Sequence, residues 1–359
     1  MKKIFSIAII SLFLISCTQL KPKATGDETE IITYVDSLLY TQIQDPLKST
    51  FQRLLYTPQP ESLFIIKPEF QIYSIDNLKT RKNIMFVSTL DDKSDIGLYV
   101  SNMLDPASRE LVEKDSAFLF IKKDLWSKGQ IIVVLVSKDR ETLLKHLTKD
   151  RNEIYLYFRD EFFKRELDAI YSEGHNKKDI ERYFLEKYGW TIFVQHDYYI
   201  AKDSAEEKFV WLRRRTPEDM ERFIFIHWID SVENPYKFFN QVWIAEKRNE
   251  LTRKFYRTTR DDAWVVIADD PESIKYLYFF PVNFNGRYAI RVQGLWRFND
   301  FTGGGPFISY VFYDENQKRI YFIDGSIFAP RYEKKKLVIQ IDALLHTFKT
   351  AGSGEIASH

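Results

Sequence analysis

The chain has 359 residues, of which 45% are hydrophobic, 16% aromatic and 29% charged; this excludes a disordered or collagen-like chain and requires a sizeable packed core. Lysine plus arginine number 52 and aspartate plus glutamate 51, a net charge of +1, which gives no general electrostatic attraction to nucleic acid. Cys17 is the single cysteine, so an intrachain disulfide and a zinc site built on paired cysteines are excluded.

Met1-Lys2-Lys3 is a short positive start, and Ile4 to Ile15 is a mostly apolar run. That run is too short to span a bilayer comfortably and fits the core of a signal peptide. Leu14-Ile15-Ser16-Cys17 resembles a bacterial lipobox. The resemblance implies cleavage after residue 16 and lipidation of Cys17, with the chain held at a membrane by its acyl groups. Cleavage removes Lys2 and Lys3 and takes the net charge from +1 to −1. Thr18, rather than an aspartate, follows the cysteine, which by the same resemblance points to the outer membrane, facing the periplasm. Residues 17–30 are expected to form a lipidated, flexible tether, since they are polar and contain Pro22 and Gly26.

The hydrophobic periodicity then predicts a strand over 30–35, a helix over 45–55, strands over 62–66 and 84–90, and a helix over 94–104 that stops before Pro106. Strands over 117–121 and 130–137, a helix over 139–147 and a long aromatic-rich helix over 150–173 follow, with Gly174 as its stop. A helix over 179–188 leads into strands over 190–195, 208–213 and 222–229 and a long helix over 235–256. Strands are then expected over 264–268, 276–282, 288–298, 307–314, 319–324 and 337–339, before a closing helix over 341–349. The irregular alternation of strands and helices predicts an α+β fold with largely antiparallel sheets. Its halves are 31–149 and 179–349, joined by a connecting helix at 150–178, with 350–359 as a flexible tail. Both halves read as helix, strands, helix, strands, helix, and Arg81–Val87 echoes Arg222–Ile226. These features predict two related halves, an internal duplication.

An ordered set of short patterns carries a family resemblance: Glu30–Asp36, Thr57-Pro58-Gln59-Pro60-Glu61, Arg81-Lys82-Asn83-Ile84 and Trp126 with Gly129-Gln130. It continues with Arg213-Arg214 and Pro217, Gly294 with Trp296, Gly303 to Phe307, and Asp324-Gly325 with Pro330. Together they resemble the uncharacterised lipoproteins grouped as domain of unknown function 4837, of the Bacteroidota and their relatives. The resemblance extends over nearly the whole chain after Cys17. It implies a location and a shape and no activity.

Candidate binding residues come from these patterns. Pro58 and Pro60 stiffen the loop that presents Gln59 and Glu61. Trp126 and Gln130 flank a glycine. Arg213 heads a run of three arginines suited to an anionic group, or equally to a structural pairing. Gly303, Gly304 and Gly305 permit close backbone approach, beside Trp296 and Asp324, and form either a ligand-contacting loop or a bulged turn. No lysine and serine or threonine follow the glycines in Walker fashion. The six histidines, His146, His175, His196, His227, His346 and His359, show no metal-ligand spacing, and neither a metal nor a cofactor is expected. The acidic pairs Asp91-Asp92, Asp261-Asp262 and Asp269-Asp270 read as caps and turns. The aromatics of the 150–173 helix, including Tyr155, Tyr157, Phe158, Phe162 and Phe163, exceed what one face can bury. That helix is therefore wrapped on several sides or offers an interaction surface. The expected function is a non-enzymatic binding or assembly module of the cell envelope, with the membrane and an envelope protein as partners and no nucleic acid. The alternative is an envelope hydrolase with paired carboxylates in a cleft between the halves.

Overall fold

A computed structural model describes residues 21–171, 177–216, 220–258, 262–268 and 277–352. The expected signal peptide, Cys17, Gly174, His175, Pro217, Asp261, Asp269, Asp270 and His359 lie outside the described residues. The elements run β1 (Glu30–Val35), α1 (Ser37–Phe51), β2 (Leu54–Leu55), β3 (Glu61–Ser62), β4 (Ile65–Glu69), α2 (Ile75–Leu78), β5 (Asn83–Thr89), α3 (Asp95–Met103), α4 (Pro106–Glu113), β6 (Leu119–Lys123), β7 (Ile131–Ser137), α5 (Arg140–Lys149) and α6 (Arg151–Tyr171). The second half runs α7 (Lys178–Tyr188), β8 (Trp190–Thr191), β9 (Tyr199–Ser204), β10 (Phe209–Arg215), β11 (Glu221–Ile229), α8 (Gln241–Phe255), β12 (Val265–Ile267), β13 (Tyr278–Phe284), β14 (Arg287–Phe298), β15 (Gly304–Asp314), β16 (Arg319–Phe328), α9 (Lys335–Leu345) and β17 (Lys349–Thr350).

The fold is α+β in two halves, and the halves differ in topology. The N-terminal sheet has the order β4-β1-β5-β7-β6. Its β1–β4, β1–β5 and β5–β7 pairs are parallel, and β6–β7 is antiparallel. The sequence of β5 and β7 explains this. Asn83–Thr89 and Ile131–Ser137 are buried at every position, as strands covered on both faces must be. The C-terminal sheet has the order β12-β14-β15-β16-β11-β10-β9, with β13 also on β14, and its pairings are antiparallel. The expected antiparallel character therefore holds there, and the expected duplication is not repeated in the strand order. Arg81–Val87 leads into a strand with parallel neighbours, whereas Arg222–Ile226 lies in one with antiparallel neighbours.

Alternation along the C-terminal strands divides two cores. Ile224, Ile226 and Trp228 face one cluster together with Tyr310, Ile323 and α9, while Phe223, Phe225, Phe307 and Phe322 face α8. The first cluster also holds Phe51, Phe64, Phe158 and Phe162 of the N-terminal half, so one continuous core crosses the junction. The opposite face of the N-terminal sheet packs on α3 and α4.

Several boundaries moved from their expected places. Asp36 caps α1 by accepting from Leu38 and Leu39 N–H, which starts that helix well before Pro46. Asp105 and Pro106 start α4, an unexpected helix with the usual proline in its first turn. Leu337–Ile339, expected as a strand, lies within α9. Residues 21–29, expected as flexible tether, lie against the N-terminal half. Ala24 N donates to Lys128 O at 2.9 Å, Lys128 N to Pro22 O at 2.8 Å and Thr25 N to Thr80 O at 2.8 Å.

Candidate functional site

Helix α6 carries more aromatic residues than one face can hide, and the structure distributes them. Ile154, Phe158 and Phe162 are buried in the central cluster with Phe51 and Phe64, and the Phe51 and Phe158 rings meet edge to face at 5.5 Å. Phe163 meets His346 just past α9 at 5.2 Å, and Glu166 accepts from Gln340 Nε2 at 2.8 Å. Wrapping on several sides was one of the two expected outcomes. The rest of the helix lines a cleft of about 1040 Å³ between the halves.

Leu156, Phe163, Leu167 and Phe193 give the cleft apolar walls, and Arg159, Lys164, Lys178 and Lys349 give it basic ones. Asp160 and Asp168 are its acids. Arg159 pairs with Asp160 at 2.6 Å and Lys164 with Asp168 at 2.5 Å. The far wall is the β13–β14 turn. Asn285 and Gly286 both have positive φ, +51° and +85°, the requirement of a tight hairpin turn that Asn-Gly meets at least cost. Asn285 Nδ2 donates to His346 O at 2.8 Å, which ties this turn to the end of α9.

Behind His346 lies a buried polar network. Asp342 accepts from Tyr310 OH at 2.6 Å and from Arg291 Nη2 at 3.1 Å, and His346 Nδ1 lies 2.8 Å from Asp342 O. Burial pushes the Asp342 carboxyl up, but Arg291, His346 and Tyr310 more than offset it, holding the group well below the usual carboxylate range. Burial, and then the Asp342 charge, push the Tyr310 phenol well above its ordinary value. Burial also raises the Tyr171 phenol at the cleft wall.

Asp160 and Asp168 stand eight residues apart on one helix, about 12 Å along its axis. Each carboxylate is ion-paired and its side chain is more than half exposed. Both acids project from the same helix and are engaged by a neighbouring cation, unlike two carboxylates that face each other across a glycosidic bond. Among the described residues, no group of three histidine, cysteine, aspartate or glutamate side chains is placed to hold a metal ion.

None of the ten candidate binding residues read from the sequence lines this cleft, although Phe163 of the aromatic helix and His346 do. Gln59 and Glu61 are exposed at the β2–β3 hairpin. The adjoining Tyr56 stacks on Tyr278 at 3.6 Å and donates its N–H to Gln293 Oε1 at 3.3 Å, so this stiff loop clamps one half to the other. Gln130 is fully buried. It donates to Lys79 O at 2.6 Å and Arg81 O at 2.7 Å and accepts from Trp126 N at 3.2 Å, so both residues brace the 124–130 turn. Arg213 makes a forked pair with Glu221 at 2.7 and 3.0 Å. Trp296 is buried and donates to Ile327 O at 3.1 Å. Gly304 and Gly305 form a close strand contact: a Cβ would stand 2.6 Å from Trp296 O at Gly304 and 2.0 Å from Ile327 O at Gly305. Gly303 faces Phe328, with 3.0 Å available. Asp324 is buried and accepts from Arg248 at 2.8 Å, Ser309 at 2.6 Å and Ser326 at 2.8 Å. These residues brace strands and turns. The cleft residues Phe193, Asn283 and Lys349 gave no sequence signal. Asn285-Gly286, a readable turn dipeptide, is the nearest thing to one.

Residues 177–347 match the family model described as Domain of unknown function (DUF4837). This second half of the chain is similar to that family. Residues 24–170 match a different model, also described as a domain of unknown function (DUF8532), so the DUF4837 match stops at the junction instead of covering nearly the whole chain. The cleft lies between the DUF4837 half and the end of the DUF8532 half. No curated protein matches the chain. Among solved structures, one from Bacteroides thetaiotaomicron is similar at 10% identity and a TM-score of 0.25, over 46% of this chain and 47% of that one. The chain thus spans about half the length of that protein. A point mutant of protein Mog1 has a TM-score of 0.27 at 10% identity, over 46% of this chain and 92% of that one. The Saccharomyces cerevisiae Ran-binding protein Mog1p has a TM-score of 0.28 at 10% identity, over 45% and 90%. Likeness this faint supports no inference about function.

Proposed function

We propose that this is a lipid-anchored protein of the bacterial envelope that works as a non-enzymatic binding module, with the cleft between its halves as the binding site. The anchor rests on the signal-like start and Leu14-Ile15-Ser16-Cys17. The binding role rests on one observation: apolar Leu156, Phe163, Leu167 and Phe193 share a 1040 Å³ cleft with Arg159, Lys164, Lys178 and Lys349. That size accommodates a drug-sized or single-chain lipid ligand. Apolar walls with four cations against two acids fit an amphipathic molecule with an acidic group, and an envelope protein is the second class of partner.

The test is native mass spectrometry of the protein extracted gently from its own membrane, alongside Leu167→Asp and Lys349→Glu. A small acidic amphiphile retained by the wild type and lost from both variants is the expected result. Displacement of a dansyl-labelled fatty acid supplies the quantitative readout, with affinity expected to fall about ten-fold per variant, the effect of roughly 1.4 kcal/mol. A wild-type protein that carries no small molecule and does not take up the probe overturns the reading.

A further inference from the structure

The chain is docked from Lys21 on, close in sequence to Cys17, and this bears on which end of the molecule a lipid anchor would bring to a membrane. Three residues lie between Cys17 and Lys21, and the four Cα-to-Cα steps from one to the other reach at most about 14 Å. From Lys21 onward the backbone is held. Lys21 Nζ donates to Asp124 O at 2.6 Å, and Pro22, Ala24 and Thr25 bond the 124–130 turn on one side and the 80–82 segment on the other. These are the amino-terminal ends of β5 and β7, so an acylated Cys17 brings this end of the N-terminal sheet to the lipid surface.

This end is basic. Lys21, Lys23, Lys79, Lys122 and Lys128 are exposed, and Arg81 is half-buried among them. The carboxylates nearby are engaged. Asp76 pairs with Lys79 at 3.2 Å, Asp124 accepts from Gly129 and Gln130 N–H, and Asp105 caps α4. Glu28 is held by Lys82 and Arg165, and Glu161 by Lys123, so with Asp27 counted as well nine cations stand against six carboxylates. The cleft wall is close by, since Lys164 feels the Asp124 carboxylate.

We infer that the face formed by Lys21, Lys23, Arg81, Lys122 and Lys128 docks on anionic phospholipid headgroups, so that the protein sits directly on the bilayer. The inference rests on the lipid-anchor reading above and adds the orientation and the lipid chemistry. Two weak attachments acting together are the general route to stable membrane seating. Each lysine near an anionic surface contributes about a five-fold effect, screened by salt.

The test uses the full acylated chain in vesicles of phosphatidylcholine, with and without roughly a third phosphatidylglycerol. An amine-reactive label is read lysine by lysine by mass spectrometry, and the Cys17 peptide is weighed in the same run. Lys93 and Lys138 are exposed at the opposite end of the same sheet and serve as the internal reference. The expected result is at least five-fold slower labelling of Lys21, Lys23, Lys122 and Lys128 in the phosphatidylglycerol vesicles only, reversed by high salt. The double variant Lys122→Glu and Lys128→Glu should restore fast labelling of Lys21 and Lys23 with an unchanged unfolding midpoint. Acylated protein whose patch lysines label as fast as Lys93 and Lys138 overturns the docking and leaves the anchor standing. An unacylated Cys17 peptide overturns the anchor itself, and the docking with it.

Discussion

Arg248, on α8, lies over the Phe307 ring at 3.5 Å and places its Nε 2.8 Å from Asp324 Oδ2, with both side chains essentially out of contact with solvent. Ser309 and Ser326 donate to the same carboxylate. The group joins α8 to the centre of the C-terminal sheet. A charge buried this deeply is tolerated only while its partners remain. Arg248→Leu leaves the buried Asp324 without its counter-ion, and should lower stability by about 3–5 kcal/mol. Denaturant unfolding measures the loss. A variant as stable as the wild type would show that the carboxylate is solvated in a way these contacts do not provide. Asp324, a candidate binding residue by sequence, is accordingly predicted to govern stability and to leave ligand uptake by the folded fraction unchanged.

The glycine run gives a graded prediction. Gly305→Ala sets a methyl 2.0 Å from the Ile327 carbonyl oxygen, whereas Gly303→Ala meets only the edge of the Phe328 ring at 3.0 Å. Backbone cannot yield as a ring can. Gly305→Ala should therefore cost about 1–3 kcal/mol, the range for overpacking, and Gly303→Ala distinctly less. Equal costs at the two positions, or a selective loss of ligand binding in a fully stable Gly305→Ala protein, would return the run to a functional role.

His227 lies on the α8 face of β11, buried, with Nδ1 2.9 Å from Lys208 O. Burial pushes its pKa down to about 4, with Lys247 adding to the effect and Glu250 opposing it. The folded state thus holds the ring neutral in a range where the unfolded chain, near 6.5, takes up a proton. Unfolding then binds protons, so stability is full above about pH 6.5 and falls as pH drops toward 4, by up to about 3 kcal/mol. His227→Phe should flatten that part of the stability curve. A variant with the wild-type slope between pH 6.5 and 4 would assign the acid sensitivity to other groups.

Much of the fold was legible in the sequence, for stated physical reasons. The buried runs Asn83–Thr89 and Ile131–Ser137, the cap at Asp139 and the heavily aromatic α6 all stand near their expected places. The parallel pairing of β1, β4 and β5 was not legible, because the hydrophobic runs do not show which strand lies beside which. Duplication was read from element order, and element order is shared by many unrelated sheets. The site was least legible. Trp296, Gln130 and Asp324 stand out as residue types because buried structure needs rare side chains as much as binding does. The cleft is built from common ones, such as Leu167, Phe193 and Lys349, that meet only through packing of α6 on α9 and the Asn285-Gly286 turn.

That packing rests on Asp342, which leads to the last prediction. Its carboxylate holds Arg291 and Tyr310 directly behind the cleft, and it stays ionised well below the usual range because Arg291, His346 and Tyr310 together outweigh burial. A depressed folded pKa stabilises the protein above the unfolded value near 3.9, and that contribution is lost as pH falls through the folded value. Asp342→Asn removes the charge while keeping the shape and leaves the half-buried Arg291 without a counter-ion. The expected cost at neutral pH is about 3–5 kcal/mol, and the variant should lose less stability than the wild type on acidification below about pH 4. The same carboxylate lies 3.3 Å from Nδ1 of His346, whose carbonyl anchors the hairpin that forms the far wall. Asp342→Asn should therefore loosen the cleft before it unfolds the chain. Hydrogen exchange resolves the two: faster exchange confined to 283–286 and 346–349 at pH 7 is the expected pattern. Uniform exchange across both halves would mean that the network stabilises the whole core and does not shape the cleft.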